Sequence, residues 1–126
     1  MKLSGMLLAG PAFAALAFAS PAIAHPKLVS SSPAANATVS KPTSITLTYS
    51  EKLLAPMSGI ELTMTGMPGM ANHAPMKVAG FQTSVVDKAM TVALPRPLPA
   101  GTYALKWHAA GADTHRIEGS FTFAVK

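Results

Sequence analysis

The chain contains no cysteine. That excludes a disulfide framework and any thiolate metal site, so a small exported fold of this composition has to hold together by its apolar core. Charge is scarce too, with only 12% of residues acidic or basic. The basic residues Lys27, Lys41, Lys52, Lys77, Lys88, Arg96, Lys106, Arg116 and Lys126 are scattered. They form no stripe with interleaved aromatics, which argues against a nucleic-acid partner. One Trp and two Tyr are few for a flat glycan-binding face. Beyond the first two dozen residues there is no long apolar run, and nowhere a sustained helical period, an internal repeat or a domain linker.

What is present begins with an export signal. Lys2 supplies a positive start, Met6 to Phe18 an apolar run, and Ala22-Ile23-Ala24 a small-x-small cleavage site. The run is shorter than the roughly 20 residues of a membrane-spanning helix. Residues 1–24 are therefore expected to be removed, leaving 102 of 126 residues as one soluble domain, 25–126, with no stable membrane insertion. The loss of Lys2 lowers the formal charge from +5 to +4. That charge suits solubility or weak attraction to an acidic envelope surface.

Residues 25–126 read as all-β. Apolar side chains alternate at Ile45/Leu47/Tyr49, Ile60/Leu62/Met64, Met90/Val92/Leu94, Tyr103/Leu105/Trp107 and Phe121/Phe123/Val125, the period of half-buried strands. Shorter strands near Lys27–Ser31 and around Val78–Val86 bring the count to about seven. Pro95, Pro97 and Pro99 forbid a central strand between two of these runs, and Ser50–Pro56 holds at most a turn of helix. Many short strands with regular turn signals point to a sandwich or Greek-key barrel. The expected core is Ile45, Leu47, Tyr49, Ile60, Leu62, Val92, Leu94, Tyr103, Leu105, Trp107, Phe121 and Phe123, with Met90.

Two groups of residues carry chemistry. Met57, Met64, Met67, Met70 and Met76, with His73, crowd a stretch broken by Gly66, Pro68, Gly69 and Pro75. Thioethers are uncharged, polarisable donors that favour Cu(I) over harder ions. Residues three apart on such a chain can fold back so that Met64, Met67, Met70 and Met76 converge, with His73 as a further donor. Two plainer readings stay open: Met64 fills the core, or the methionines form a plastic partner-binding surface. Met57 lies outside the tight spacing.

The second group exists only after export. Cleavage makes His25 the first residue, able to chelate one metal through its amine and imidazole. Lys27 is not a histidine, so the amide-nitrogen chelate that needs one at the third position is excluded, and the other ligands must come from the fold. Asp113 and His115 are suited to this, because residues two apart in an extended segment point to one side. Nitrogen donors with a carboxylate suit Cu(II). Taken alone, Asp-x-His is better read as a hydrogen-bonded loop pair; the N-terminal His25 changes that weighting. His108, opposite the Tyr103/Leu105/Trp107 face, reads as a solvated strand residue.

The stretches His-Pro-Lys-Leu-Val-Ser-Ser-Ser-Pro at 25–33, Tyr-Ser-Glu at 49–51, Met-Thr-Gly-Met-Pro-Gly-Met at 64–70 and Gly-Thr-Tyr at 101–103 resemble the CopC/PcoC family of periplasmic copper-resistance proteins. Trp107 followed by Ala-Asp-Thr-His at 112–115, and Ser-Phe-Thr-Phe near the end, extend the resemblance over essentially all of 25–126. It implies a cupredoxin-like Greek-key β-barrel that carries copper in the periplasm and catalyses nothing. It further implies Cu(II) at His25, Asp113 and His115, and Cu(I) at Met64, Met67, Met70, Met76 and His73. The partner it suggests is another periplasmic or inner-membrane copper-handling protein. The segment between Met70 and His73 is one residue longer than the family pattern, which bears on His73 more than on the methionines. Two rivals from other classes are a copper-dependent oxidative enzyme using His25 as an N-terminal brace, and a metal-free interaction module.

Overall fold

The computed structural model describes residues 25–70 and 74–126; the expected signal segment and His73 lie outside the described residues. Among the described residues, nine strands form two sheets: β1 (Leu28–Ser32), β2 (Thr38–Val39), β3 (Ser44–Tyr49), β4 (Gly59–Gly66), β5 (Met76–Lys77), β6 (Gln82–Val86), β7 (Ala89–Ala93), β8 (Gly101–Ala110) and β9 (Arg116–Val125). Seven of them have five residues or more, which matches the expected count; β2 and β5 are two-residue edge pieces. One sheet has the order β1-β3-β7-β6, the other β2-β9-β8-β4-β5. The only helical element among the described residues is a 3-10 turn at Ala55–Met57.

Alternation explains the layers. Ile45, Leu47 and Tyr49 point inward from β3, and Tyr103, Leu105 and Trp107 from β8, all nearly or fully buried. Tyr49 meets Trp107 edge-on across the core, with centroids 5.2 Å apart, and Tyr103 stacks on Phe123 at 5.5 Å. Ile60 and Phe121, expected in the core, are only half-buried and pack against its margin. Leu53 and Leu98 join the core from loops. No strand period marks them, so alternation could not find them.

The strand expected around Val78–Val86 is β6, shortened to Gln82–Val86. It pairs with β7 in one sheet, whereas β5, just ahead of that run, pairs with β4 in the other. Gly80, at φ +85°, lies in the crossing between them, a backbone that favours glycine. The Asp87-Lys88 turn then joins β6 to β7, with Asp87 at φ +56°, a position Asp tolerates.

β4 and β8 are antiparallel over nearly their whole length, from Gly59 opposite His108 to Gly66 opposite Thr102. At about 3.3 Å per residue, β8 spans on the order of 30 Å. The methionine turn, which follows β4, adjoins its beginning, and the Asp113 turn follows its end. The two candidate groups therefore occupy opposite ends of the sandwich.

Candidate metal centres

At one end, the start of the domain is held by Pro26. This ring is fully buried, and a Cβ placed on Gly111 would come within 3.1 Å of its Cγ and Cδ. The Lys27 amide donates to Ser50 Oγ at 2.9 Å, and the Ser50 amide returns a bond to the Lys27 carbonyl. His25 thus projects, 52% exposed at its side chain, from a clamped backbone.

Asp113 and His115 reach it by a turn and not by the extended segment expected from their spacing. The Thr114 amide donates to the Gly111 carbonyl at 2.9 Å, and Thr114 sits at φ +61°, a left-handed conformation costly for a β-branched residue. Asp113 Oδ1 accepts the His115 amide at 3.1 Å. This Asx-type turn consumes one carboxylate oxygen and leaves the other facing the two imidazoles. Asp113 Oδ2 lies 3.0 Å from His25 Nδ1 and 3.8 Å from His115 Nδ1, and the two imidazoles are 5.3 Å apart, edge to face.

The chemistry of this donor set fits a divalent ion. With metal–ligand bonds of about 2.0 Å, cis donors on a tetragonal ion stand about 2.8 Å apart and trans donors about 4.0 Å. The two separations from Asp113 Oδ2 fall near these values. The donors contact one another without surrounding a common point: among the described residues, no three His, Cys, Asp or Glu side chains form a closed cage. The amine of His25 becomes a donor only when the chain is cut before it.

The other end begins where β4 runs out. Met67 and Met70 exchange backbone hydrogen bonds of 3.1 and 2.9 Å around Pro68-Gly69, with Gly69 at φ +81°, a type II turn. Met76, on β5, is directly opposite Met64, which is itself opposite Tyr103. Met64 is 7% exposed, whereas Met67, Met70 and Met76 are 36%, 54% and 54% exposed. Met64 and Met76 line a cavity of about 490 Å³ together with Leu94, Leu98, Tyr103 and the loop of three prolines. The Tyr103 hydroxyl donates to the Pro99 carbonyl at 2.6 Å, which ties that loop down. Met57, on the 3-10 turn before β4, belongs to the far end of the strand, so it is separated from the methionine turn by the length of β4.

His108 sits on the outer face of β8, opposite Glu118 on β9 and over Gly59. It shares a shallow depression with Glu61, Lys106, Arg116 and Glu118. Partial burial and the Arg116 charge hold its imidazole below the usual range. It is not brought to Asp113.

A two-sheet β domain with a nitrogen–carboxylate group at one end and a thioether turn at the other is the kind of protein these observations define. The CopC domain model matches residues 28–126. Copper resistance protein C of Escherichia coli is 47% identical over 98% of this chain and 94% of its own length. Copper resistance protein C of Xanthomonas campestris pv. juglandis is 54% identical over 79% of each. The crystal structure of PcoC, a methionine-rich copper resistance protein from Escherichia coli, superposes with a TM-score of 0.72 at 46% identity, covering 82% of this chain and all of PcoC. The chain belongs to the CopC family, and its two sheets are those of a cupredoxin-like sandwich.

Proposed function

We propose that this chain is an exported, periplasmic copper-binding protein of copper resistance that acts as a carrier and not as an enzyme. Cu(II) is held by the His25 imidazole and freed amine, Asp113 and His115. Cu(I) is held by Met67, Met70 and Met76, with Met64 at the cavity wall and His73 as a further donor. The observation that carries the reading is the meeting of His25 with Asp113 and His115, from opposite ends of the sequence, with His25 Nδ1 3.0 Å from Asp113 Oδ2 and the two imidazole centroids 5.3 Å apart. Family membership supports copper as the cargo. Donor type does the sorting: amine, imidazole and carboxylate for the harder Cu(II), thioethers for Cu(I). Asp113 Oδ2 is within 4 Å of both imidazoles, in the space an oxygen-activating copper needs open, and this favours a carrier over a brace-type oxidase.

The test is a pair of titrations, anaerobic Cu(I) and aerobic Cu(II), on protein beginning at His25. One equivalent of each bound together, with a nitrogen-rich Cu(II) paramagnetic resonance spectrum, is the expected result. Protein carrying one extra residue before His25 should lose most Cu(II) affinity and keep Cu(I). Tight binding of neither ion would sink the copper reading.

A further inference from the structure

The six methionines of residues 25–126 fall into two classes by exposure. Met90 is fully buried and Met64 is 7% exposed, its methyl 3.3 Å from where a Cβ on Gly101 would stand. The other four are open: Met57 at 37%, Met67 at 36%, Met70 at 54% and Met76 at 54%. Three of these four lie on the turn and edge strand at one end of the sandwich. Met57 is at the other end.

An exposed thioether is a two-electron reductant. Its sulfur attacks one oxygen of hydrogen peroxide and the O–O bond breaks. The sulfur keeps that oxygen as a sulfoxide, and the departing hydroxide takes up the remaining proton as water. The product presents a hard oxygen where a soft sulfur stood, so it discriminates against Cu(I). At Met67, Met70 and Met76 the new dipole faces solvent and costs the fold little. At Met64 or Met90 it would be buried without a partner and would destabilise the fold.

We propose that Met67, Met70 and Met76 form a reversible oxidation site, at which a peroxide-class oxidant switches off soft-metal binding while the core and the His25 end stay intact. The inference rests on the Cu(I) reading of this turn. Met57 supplies an internal control, since it oxidises to a similar extent but far from the turn.

The experiment treats metal-free protein beginning at His25 with hydrogen peroxide and follows each methionine by peptide mass mapping. Cu(I) affinity is measured by chelator competition, Cu(II) affinity by titration, and tertiary structure by near-ultraviolet circular dichroism. Met70 and Met76 should take up oxygen first, then Met67 and Met57, with Met64 and Met90 unmodified. Cu(I) affinity should fall at least about 100-fold, with Cu(II) affinity and the dichroism spectrum unchanged. Methionine sulfoxide reductases of both stereochemical types, supplied with a dithiol that is oxidised to a disulfide as the sulfoxide oxygen leaves as water, should restore it, and Met57→Leu should not alter the loss. Oxidation of Met64 or Met90 in step with the turn, or full Cu(I) affinity after the turn is oxidised, overturns the inference. Absence of Cu(I) affinity before any oxidant is added overturns the Cu(I) reading itself and removes the switch with it, although the oxidation map would still show which thioethers are open.

Discussion

Gly111→Ala tests how the fold sets the His25 end. Gly111 is buried and lies two residues before Asp113, while Pro26 directly follows His25. A Cβ on residue 111 would stand 3.1 Å from both Cγ and Cδ of Pro26. Carbon atoms prefer about 3.5–4.0 Å, so the two segments must part by roughly 0.5 Å. The Pro26 ring is fully buried and has no rotamer to escape into, and its neighbour Lys27 is tied to Ser50 on both sides of the peptide. The displacement therefore passes to His25 or to the Asp113 turn. Either route lengthens the 3.0 Å separation between His25 Nδ1 and Asp113 Oδ2 past what cis donors on one ion can span.

The expected result is a loss of Cu(II) affinity of about tenfold, or about 1.4 kcal/mol. Overpacking of this kind costs on the order of 1–3 kcal/mol of stability, which in a domain this size lowers Tm by about 4–8 °C per kcal/mol. Cu(I) affinity should not change, because the methionine turn is on the order of 30 Å away along β8. Competition titrations of both ions with a thermal melt decide the matter. A lower Tm with unchanged Cu(II) affinity would show that the Pro26–Gly111 contact holds the fold and not the site. Equal losses of both ions would point to general destabilisation and refute the reasoning.

Three further perturbations follow from single contacts. The Tyr49 hydroxyl is buried with no hydrogen-bond partner among the described residues, and burial pushes its ionisation far above the usual range; Tyr49→Phe should raise stability by about 1 kcal/mol in denaturant melts, and a clear loss would mean that the hydroxyl is bonded. A Cβ on Gly119 would collide with the Trp107 indole, so Gly119→Ala should cost about 2–3 kcal/mol, read from melts followed by fluorescence of the single Trp; an unchanged melt would contradict the packing. Burial and Arg116 depress the His108 pKa in the folded state, so as pH drops through the ordinary value of about 6.5 the unfolded chain binds more protons and stability is lost. Wild type should therefore lose more Tm than His108→Gln between about pH 8 and about pH 5, and parallel slopes would reject this role for His108.

The strands with one face in the core were legible because their side chains obey a period of two: β3, β4, β7, β8 and β9 lie where alternation places them. What escaped was non-periodic. Leu53 and Leu98 enter the core from loops, and β5 is a two-residue edge strand at the end of the methionine stretch, too short to show a period. The Asp113–His115 spacing showed which residues would be neighbours but not their backbone. The turn depends on Asp113 Oδ1 capturing the His115 amide and on Thr114 adopting a left-handed φ, neither of which a periodic pattern encodes. Among the methionines, alternation flagged Met64 as able to turn inward with Ile60 and Leu62. It could not show that Met76 would pair with Met64, because that contact is made by an edge strand of two residues, too short for alternation to mark.

The geometry also constrains how a two-site carrier works. The methionine turn follows β4 and adjoins the start of β8, whereas the Asp113 turn follows the end of β8. Between them lies a core of Leu62, Leu105, Tyr103 and Trp107, all buried. A copper ion cannot cross that interior, since desolvating a charge there without ligands costs far more than either site can return. Under the proposed reading, a change of oxidation state does not pass copper from one end of a molecule to the other. It releases copper from one end, and the recipient must be another molecule that approaches that end. The open faces of Met67, Met70 and Met76, and the solvent-facing imidazoles of His25 and His115, are placed for two such approaches, each independent of the other.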